Sequence, residues 1–172
     1  MLEQYTTAVL TFVRANQELA QPIVFALGFA ESVALIAWAV PSSVLLLAIG
    51  GLFGAQHAPI WTLCLAGGLG ACLGDLLSYT LGRYFKGDAA NFWPLSRKPE
   101  LLSQGERFFE HWGVFGIIGS KFLGPVRSFV PIIAGVVGMR QLPFLLASAV
   151  SSLIWATAYL APSAFGIGLF FP

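Results

Sequence analysis

The chain has 172 residues, 57% hydrophobic, 14% aromatic and only 10% charged, with a formal net charge of +1. Soluble domains carry about 25% charged residues. Together with a mean hydropathy of +0.79, this composition excludes a soluble globule and a disordered chain. Nine charges fall within residues 83–110 (Arg83, Lys86, Asp88, Arg97, Lys98, Glu100, Glu106, Arg107 and Glu110), so the rest of the chain is almost uncharged. The reading is an integral, all-α polytopic membrane protein forming a single transmembrane domain. The charge balance offers no field for nucleic acid.

Residues 1–21 place Leu2, Tyr5, Val9, Phe12 and Val13 on one helical face and Glu3, Thr7, Thr11, Arg14 and Glu18 on the other. That is the pattern of an interfacial amphipathic helix. The opening Met1-Leu2-Glu3-Gln4 has no basic stretch of the kind that begins a cleavable signal. Residues 22–56 form an apolar stretch containing one charge, Glu31, and Pro41 near the middle. A complete span takes about 20 apolar residues, so two spans fit poorly here. Because proline breaks a helix, the expectation is a re-entrant hairpin of two half-helices meeting at Pro41-Ser42-Ser43. Irregular backbone at membrane depth must be buried in protein or line a wet cavity.

Residues 59–82 read as a full transmembrane helix with one charge, Asp75, near its end. Gly67, Gly68, Gly70 and Gly74 allow close helix packing, including a Gly70-x-x-x-Gly74 step. Residues 83–112 read as a polar loop followed by an amphipathic helix, with Leu101, Leu102, Gly105, Phe108, Phe109 and Trp112 on its apolar face. The loop's share of the basic residues argues for a cytoplasmic position. Residues 113–139 form a second broken hairpin, interrupted at Gly124, Pro125 and Pro131, with Lys121 and Arg127 inside. Residues 141–161 are the last transmembrane helix, and Pro162 opens a tail over 162–172. The order of amphipathic helix, Pro-broken hairpin and full span thus occurs twice. Such a duplication suggests an inverted repeat of the sort that builds midplane binding sites in transporters. Gly50-x-x-x-Gly54 suits either a homo-oligomer contact or internal packing.

Glu31, Asp75, Lys121 and Arg127 are ionisable groups in apolar surroundings. Each costs roughly 2.5–3.5 kcal/mol at a helix centre on insertion scales. Two acids and two bases suggest mutual pairing, which serves either a structural ion-pair cluster or a polar site. In the second case Lys121 and Arg127 hold an anionic phosphate headgroup, with backbone N–H donors near Pro125, while Glu31 or Asp75 pairs with them or exchanges a proton. No metal or cofactor is expected, since Cys64 and Cys72 lack ligand spacing.

Enzyme readings fail on the residues. A Gly-x-Gly-Asp protease motif needs glycine at position 72, where Cys72 stands, and a second intramembrane Asp besides Asp75. His57 and His111 read as solvated residues rather than nucleophiles, and neither Gly-x-Ser-x-Gly nor His-Glu-x-x-His occurs.

Three segments carry a resemblance. Glu31, ten residues before Pro41, resembles the Glu…Pro-Gly-acid signature of the DedA family, also described as the VTT or SNARE-associated domain. Gly74-Asp75-x-x-x-Tyr79-x-x-Gly82-Arg83 is similar to the second signature of that family. The third is similar to Lys121-Phe122-x-x-Pro125-x-Arg127-x-x-x-Pro131-x-x-Ala134-Gly135-x-x-x-Met139, followed by Phe144 and Trp155. The resemblance covers about residues 25–160. It implies a lipid flippase or scramblase of the bacterial cytoplasmic (inner) membrane that moves undecaprenyl phosphate or a phospholipid, with membrane lipids as its partners. Under it Glu31, Lys121 and Arg127 fall on functional positions. Two residues depart from the family pattern: Lys121 stands where arginine is usual, and Ser43 where an acid is usual. The alternative is a non-transporting membrane factor that supports envelope homeostasis or protein insertion.

Overall fold

The computed structural model describes Thr11 and residues 15–33, 42–55, 59–85, 100–123 and 127–170. Every regular element among them is helical: α1 (Ala20–Ser32), α2 (Ser42–Ala55), α3 (Ile60–Tyr84), α4 (Glu100–Ser120), α5 (Val130–Val136) and α6 (Gln141–Phe170). The helix expected over 1–21 lies mostly outside the described residues; its last part, Gln17–Leu19, is a short 3-10 turn leading into α1.

Helix α3 is the centre of the fold, with α1, α5 and α6 packed on it, and α2 lies against α6. Glycines set these distances. A Cβ at Gly70 would overlap the carbonyl oxygen of Phe25 in α1, and one at Gly135 in α5 would overlap that of Tyr79 in α3. Both contacts are backbone on backbone, which is how helices associate where water supplies no hydrophobic drive. Gly50 also serves an internal contact, against Leu160 and Ser163 of α6.

Polar and apolar residues are distributed inside out. Trp61, Leu65, Leu69, Leu73, Leu77 and Leu81, spaced by four along α3, are all exposed. Asp75, Ser78, Ser148, Ser151 and Ser152 are all buried. Water would reverse that arrangement, whereas lipid requires it. Helices α3 and α6 are each long and apolar enough to cross a bilayer. On α3, exposed Trp61 and Tyr84 are separated by about 35 Å of helix, somewhat more than the roughly 30 Å hydrocarbon thickness. Aromatic residues favour the two interfaces at such positions.

Among the described residues, the interior holds two apolar clusters with polar groups between them. One contains Val24, Leu46, Ile49, Leu63, Ala71, Trp155 and Leu160, among others. The other contains Tyr79, Ile117, Ala134, Phe144 and Ala147. Along α3, Asp75 and Ser78 fall between Ala71 of the first cluster and Tyr79 of the second. Along α6, Ser148, Ser151 and Ser152 fall between Ala147 and Trp155 in the same way.

Several breaks differ from the sequence expectation. Helix α1 ends at Ser32, with Val33 extended, well before Pro41. Its end is held by residues from far along the chain, as described below. Helix α2 starts at Ser42, directly after Pro41. Pro41, Gly124 and Pro125 lie outside the described residues, as does the side chain of Ser43. Pro131 occupies the first turn of α5, where a missing N–H costs nothing, so it opens a helix. Within α4 the helical path breaks at Gly113, whose φ of 48° suits glycine. Helix α6 runs through Pro162 instead of stopping there. Beside that proline, Ser163 Oγ donates to the carbonyls of Tyr159 and Leu160, and such side-chain bonds help membrane helices tolerate proline.

Candidate functional site

The four intramembrane charges form two buried ion pairs. Lys121 Nζ lies 2.5 Å from Asp75 Oδ2, and Arg127 Nη2 lies 2.6 Å from Glu31 Oε1. Asp75 is nine residues inside the C-terminal end of α3, about 14 Å along its axis. It is therefore deeper than an assignment near the helix end implies. Both cations lie in the stretch between α4 and α5, where the chain leaves helical geometry after Ser120.

The end of α1 explains why the cations converge. The last carbonyls of a helix have no intrahelical donor, and together they form the negative end of its dipole. Arg127 Nη2 donates to the Glu31 carbonyl at 3.4 Å, and Ser78 Oγ donates to the Ser32 carbonyl at 3.3 Å. Lys121 Nζ reaches Ser32 Oγ at 3.3 Å. Lys121 and Arg127 thus meet neighbouring residues of one helix end. These contacts allow α1 to stop inside the protein.

Helix α6 closes the site. Ser148 Oγ donates to Asp75 Oδ2 at 2.6 Å, and the Arg127 guanidinium lies 4.5 Å from the centroid of the Trp155 ring. The cation–π contact is one that arginine makes readily when desolvated. One turn beyond Asp75 toward the C-terminal end of α3, Tyr79 Oη donates to the Met139 carbonyl at 2.6 Å and accepts from Arg83 Nη1 at 3.1 Å. The Tyr79 ring stacks on Phe144 with centroids 4.3 Å apart. These contacts tie α3 to the α5–α6 junction.

The structure brings together Glu31, Asp75, Lys121 and Arg127, the four ionisable residues singled out in the sequence. It adds Ser32, Ser78, Ser148 and Trp155, which sequence reasoning passed over as site residues. The available signal is the spacing of Ser148 and Ser152 by four residues, on one face of a largely apolar helix. Chemically, the site is a set of buried, compensated charges. An anion can engage either cation only by replacing its carboxylate partner or joining it.

The VTT domain family matches residues 40–165. The inner membrane protein YabI of Escherichia coli is 31% identical over 134 residues, covering 78% of this chain and 53% of its own length. The protein DedA of Escherichia coli is 27% identical over 145 residues, covering 80% of this chain and 64% of its own. An uncharacterized membrane protein of Mycobacterium tuberculosis is 37% identical over 120 residues, 64% of this chain and 50% of its own. The chain spans about half the length of the first curated relatives it matches. No solved structure matches it. The burial pattern, the two apolar helices and these similarities agree: the chain belongs to the VTT-domain (DedA) family of bacterial inner-membrane proteins.

Proposed function

We propose that this chain moves an anionic phosphate lipid, undecaprenyl phosphate or a phospholipid, between membrane leaflets, and is not an enzyme. The observation that carries the reading is the convergence of Lys121 and Arg127 on the end of α1, each facing a carboxylate inside apolar surroundings. Burying four charges is expensive for a fold that needs only helix packing. A phosphate headgroup engages the two cations, and Glu31 and Asp75 hold their places between transport events. Protonation of a released carboxylate couples the cycle to protons. With Ser43 in place of an acid, that coupling is weaker than in a site with a further carboxylate.

The architecture supports this reading. Interrupted segments lead into full-length helices twice, α1 and α2 before α3, then the end of α4 and α5 before α6. We read them as two re-entrant hairpins of an inverted repeat, meeting at the charged site. The basic loop after α3 faces the cytoplasm in this arrangement.

A second reading has its own support. Each cation already has a partner, as expected of a purely structural network in a non-transporting membrane factor. Reconstitution distinguishes the two. Purified protein in liposomes accelerates leaflet exchange of labelled undecaprenyl phosphate or labelled phosphatidylglycerol under the transport reading. Exchange at the rate of protein-free liposomes for both lipids favours the structural reading.

A further inference from the structure

One face of α6 meets both ion pairs, and between those two contacts it carries a further buried polar group. Ser148, Ser152 and Trp155 are spaced by four and three residues, so they stack on consecutive turns. Ser148 serves the first pair through Asp75. The Trp155 ring carries Arg127 of the second pair. Ser152 lies on the turn between them. Among the described residues, Ser152 Oγ and Trp155 Nε1 are buried without a hydrogen-bond partner, although the two residues are 0% and 1% exposed.

Such atoms are rare in folded proteins, and each instance calls for an explanation. Ser151 Oγ, one residue away, bonds back to the Ser148 carbonyl at 3.1 Å, a solution Ser152 does not use. An indole N–H only donates, and a serine hydroxyl can donate too. A partner for the indole must accept, and an oxygen-rich acceptor beside it can take the serine hydroxyl's proton as well. Once a cation is released from its carboxylate, as the proposed cycle requires, an anionic acceptor fits better than a neutral one. A tetrahedral phosphoryl group has oxygens diverging in enough directions to meet a cation, an indole and a hydroxyl together.

We infer that Ser152 Oγ and Trp155 Nε1 form a hydrogen-bonding subsite for a phosphoryl oxygen, set between the Lys121–Asp75 and Arg127–Glu31 pairs. The subsite deepens the headgroup reading and rests on it. It assigns the recognition of the phosphoryl oxygens to α6, in addition to the charge supplied by the stretch between α4 and α5. The same chemistry would accept a lipid phosphate or free inorganic phosphate.

The test uses the full chain in detergent with three probes: undecaprenyl phosphate, undecaprenol and inorganic phosphate. Trp155→Phe removes the N–H and keeps an aromatic face for Arg127; Ser152→Ala removes the hydroxyl. Hydrogen bonds to charged groups contribute enough that each variant should bind undecaprenyl phosphate about tenfold more weakly, with undecaprenol unaffected. In indole-¹⁵N-labelled protein, the resonance absent from Trp155→Phe should move when undecaprenyl phosphate is added and stay put with undecaprenol. Movement with inorganic phosphate alone also supports the subsite and identifies free phosphate as an occupant. If Trp155→Phe does not fold, the indole shift of the wild-type protein, assigned by specific labelling, and Ser152→Ala carry the test. Suppose the charge-balanced Glu31→Gln/Arg127→Gln variant, folded and monodisperse, loses phosphate-selective binding while the Ser152 and Trp155 variants bind normally and the indole resonance is unmoved. Then the headgroup reading stands, the subsite is wrong, and the two atoms hold only water. Equal binding of phosphate and alcohol by the wild-type protein overturns both.

Discussion

Asp75 Oδ2 accepts from two directions at once, from Lys121 Nζ at 2.5 Å and from Ser148 Oγ at 2.6 Å. One carboxylate oxygen therefore links α3, the stretch after α4, and α6. Lys121 in turn reaches Ser32 in α1, so four parts of the chain are joined through a single ion pair.

Asp75→Asn should therefore cost more than a surface substitution, because it leaves the Lys121 ammonium buried without compensation. Breaking a buried pair costs about 3–5 kcal/mol. Asp75→Asn/Lys121→Met, which removes both charges, should recover a large part of that loss. Denaturation of the purified variants in detergent measures both. Additive losses in the double variant would mean that the pair is not coupled as the geometry requires.

Packing of α1 on α3 makes a separate prediction. Gly70→Ala inserts a methyl group onto the Phe25 carbonyl, and overpacking of this kind costs about 1–3 kcal/mol. Gly119, in α4, has open space where its Cβ would be. Gly119→Ala should be neutral or slightly stabilising, since alanine loses less backbone entropy in a helix. Melting temperatures of the two variants should move apart; equal shifts would contradict the close approach at Gly70.

Tyr79→Phe keeps the stack on Phe144 but removes the hydroxyl that bonds the Met139 carbonyl. A typical net contribution of about 1 kcal/mol should be lost, with amide exchange faster around the α5–α6 junction. Unchanged exchange there would show that the ring, and not the hydroxyl, fixes the junction.

Part of this design was readable from the chain alone, for a physical reason. A charge in an apolar segment is conspicuous because it is costly, so Glu31, Asp75, Lys121 and Arg127 stood out, and their equal numbers implied pairing. Which acid meets which base depends on tertiary approach, so that information was absent from local pattern. The end of α1 was hidden for the same reason: no proline or glycine marks Ser32, and the groups that hold its carbonyls are Ser78 and Arg127. Pro162 misled in the other direction, because a local breaker was read without the serine bonds and packing around it. The polar role of Ser148 was obscured because serine is common in membrane helices as a small packing residue. The side chain's partner, Asp75, is 73 residues away.

Glu31→Gln keeps the shape of the side chain and its hydrogen-bonding capacity but cannot titrate. Under the proposed cycle, transport by this variant should depend less on pH than transport by the wild-type protein, while binding of undecaprenyl phosphate persists. Initial rates across a pH series in liposomes test this. An identical pH profile would remove Glu31 from proton exchange.

Under the proposed function the paired cations act on a phosphate headgroup and do more than hold helices together. The direct measurement is leaflet exchange of labelled undecaprenyl phosphate in liposomes containing either the wild-type protein or Glu31→Gln/Arg127→Gln. This double substitution removes both charges of one pair and leaves neutral amides able to bond to each other, so the protein should remain folded and monodisperse. Under the proposed function the wild-type protein accelerates exchange, and the double variant, equally well folded, does not. Exchange by the double variant at the wild-type rate would contradict that function and leave the Arg127–Glu31 pair a structural feature.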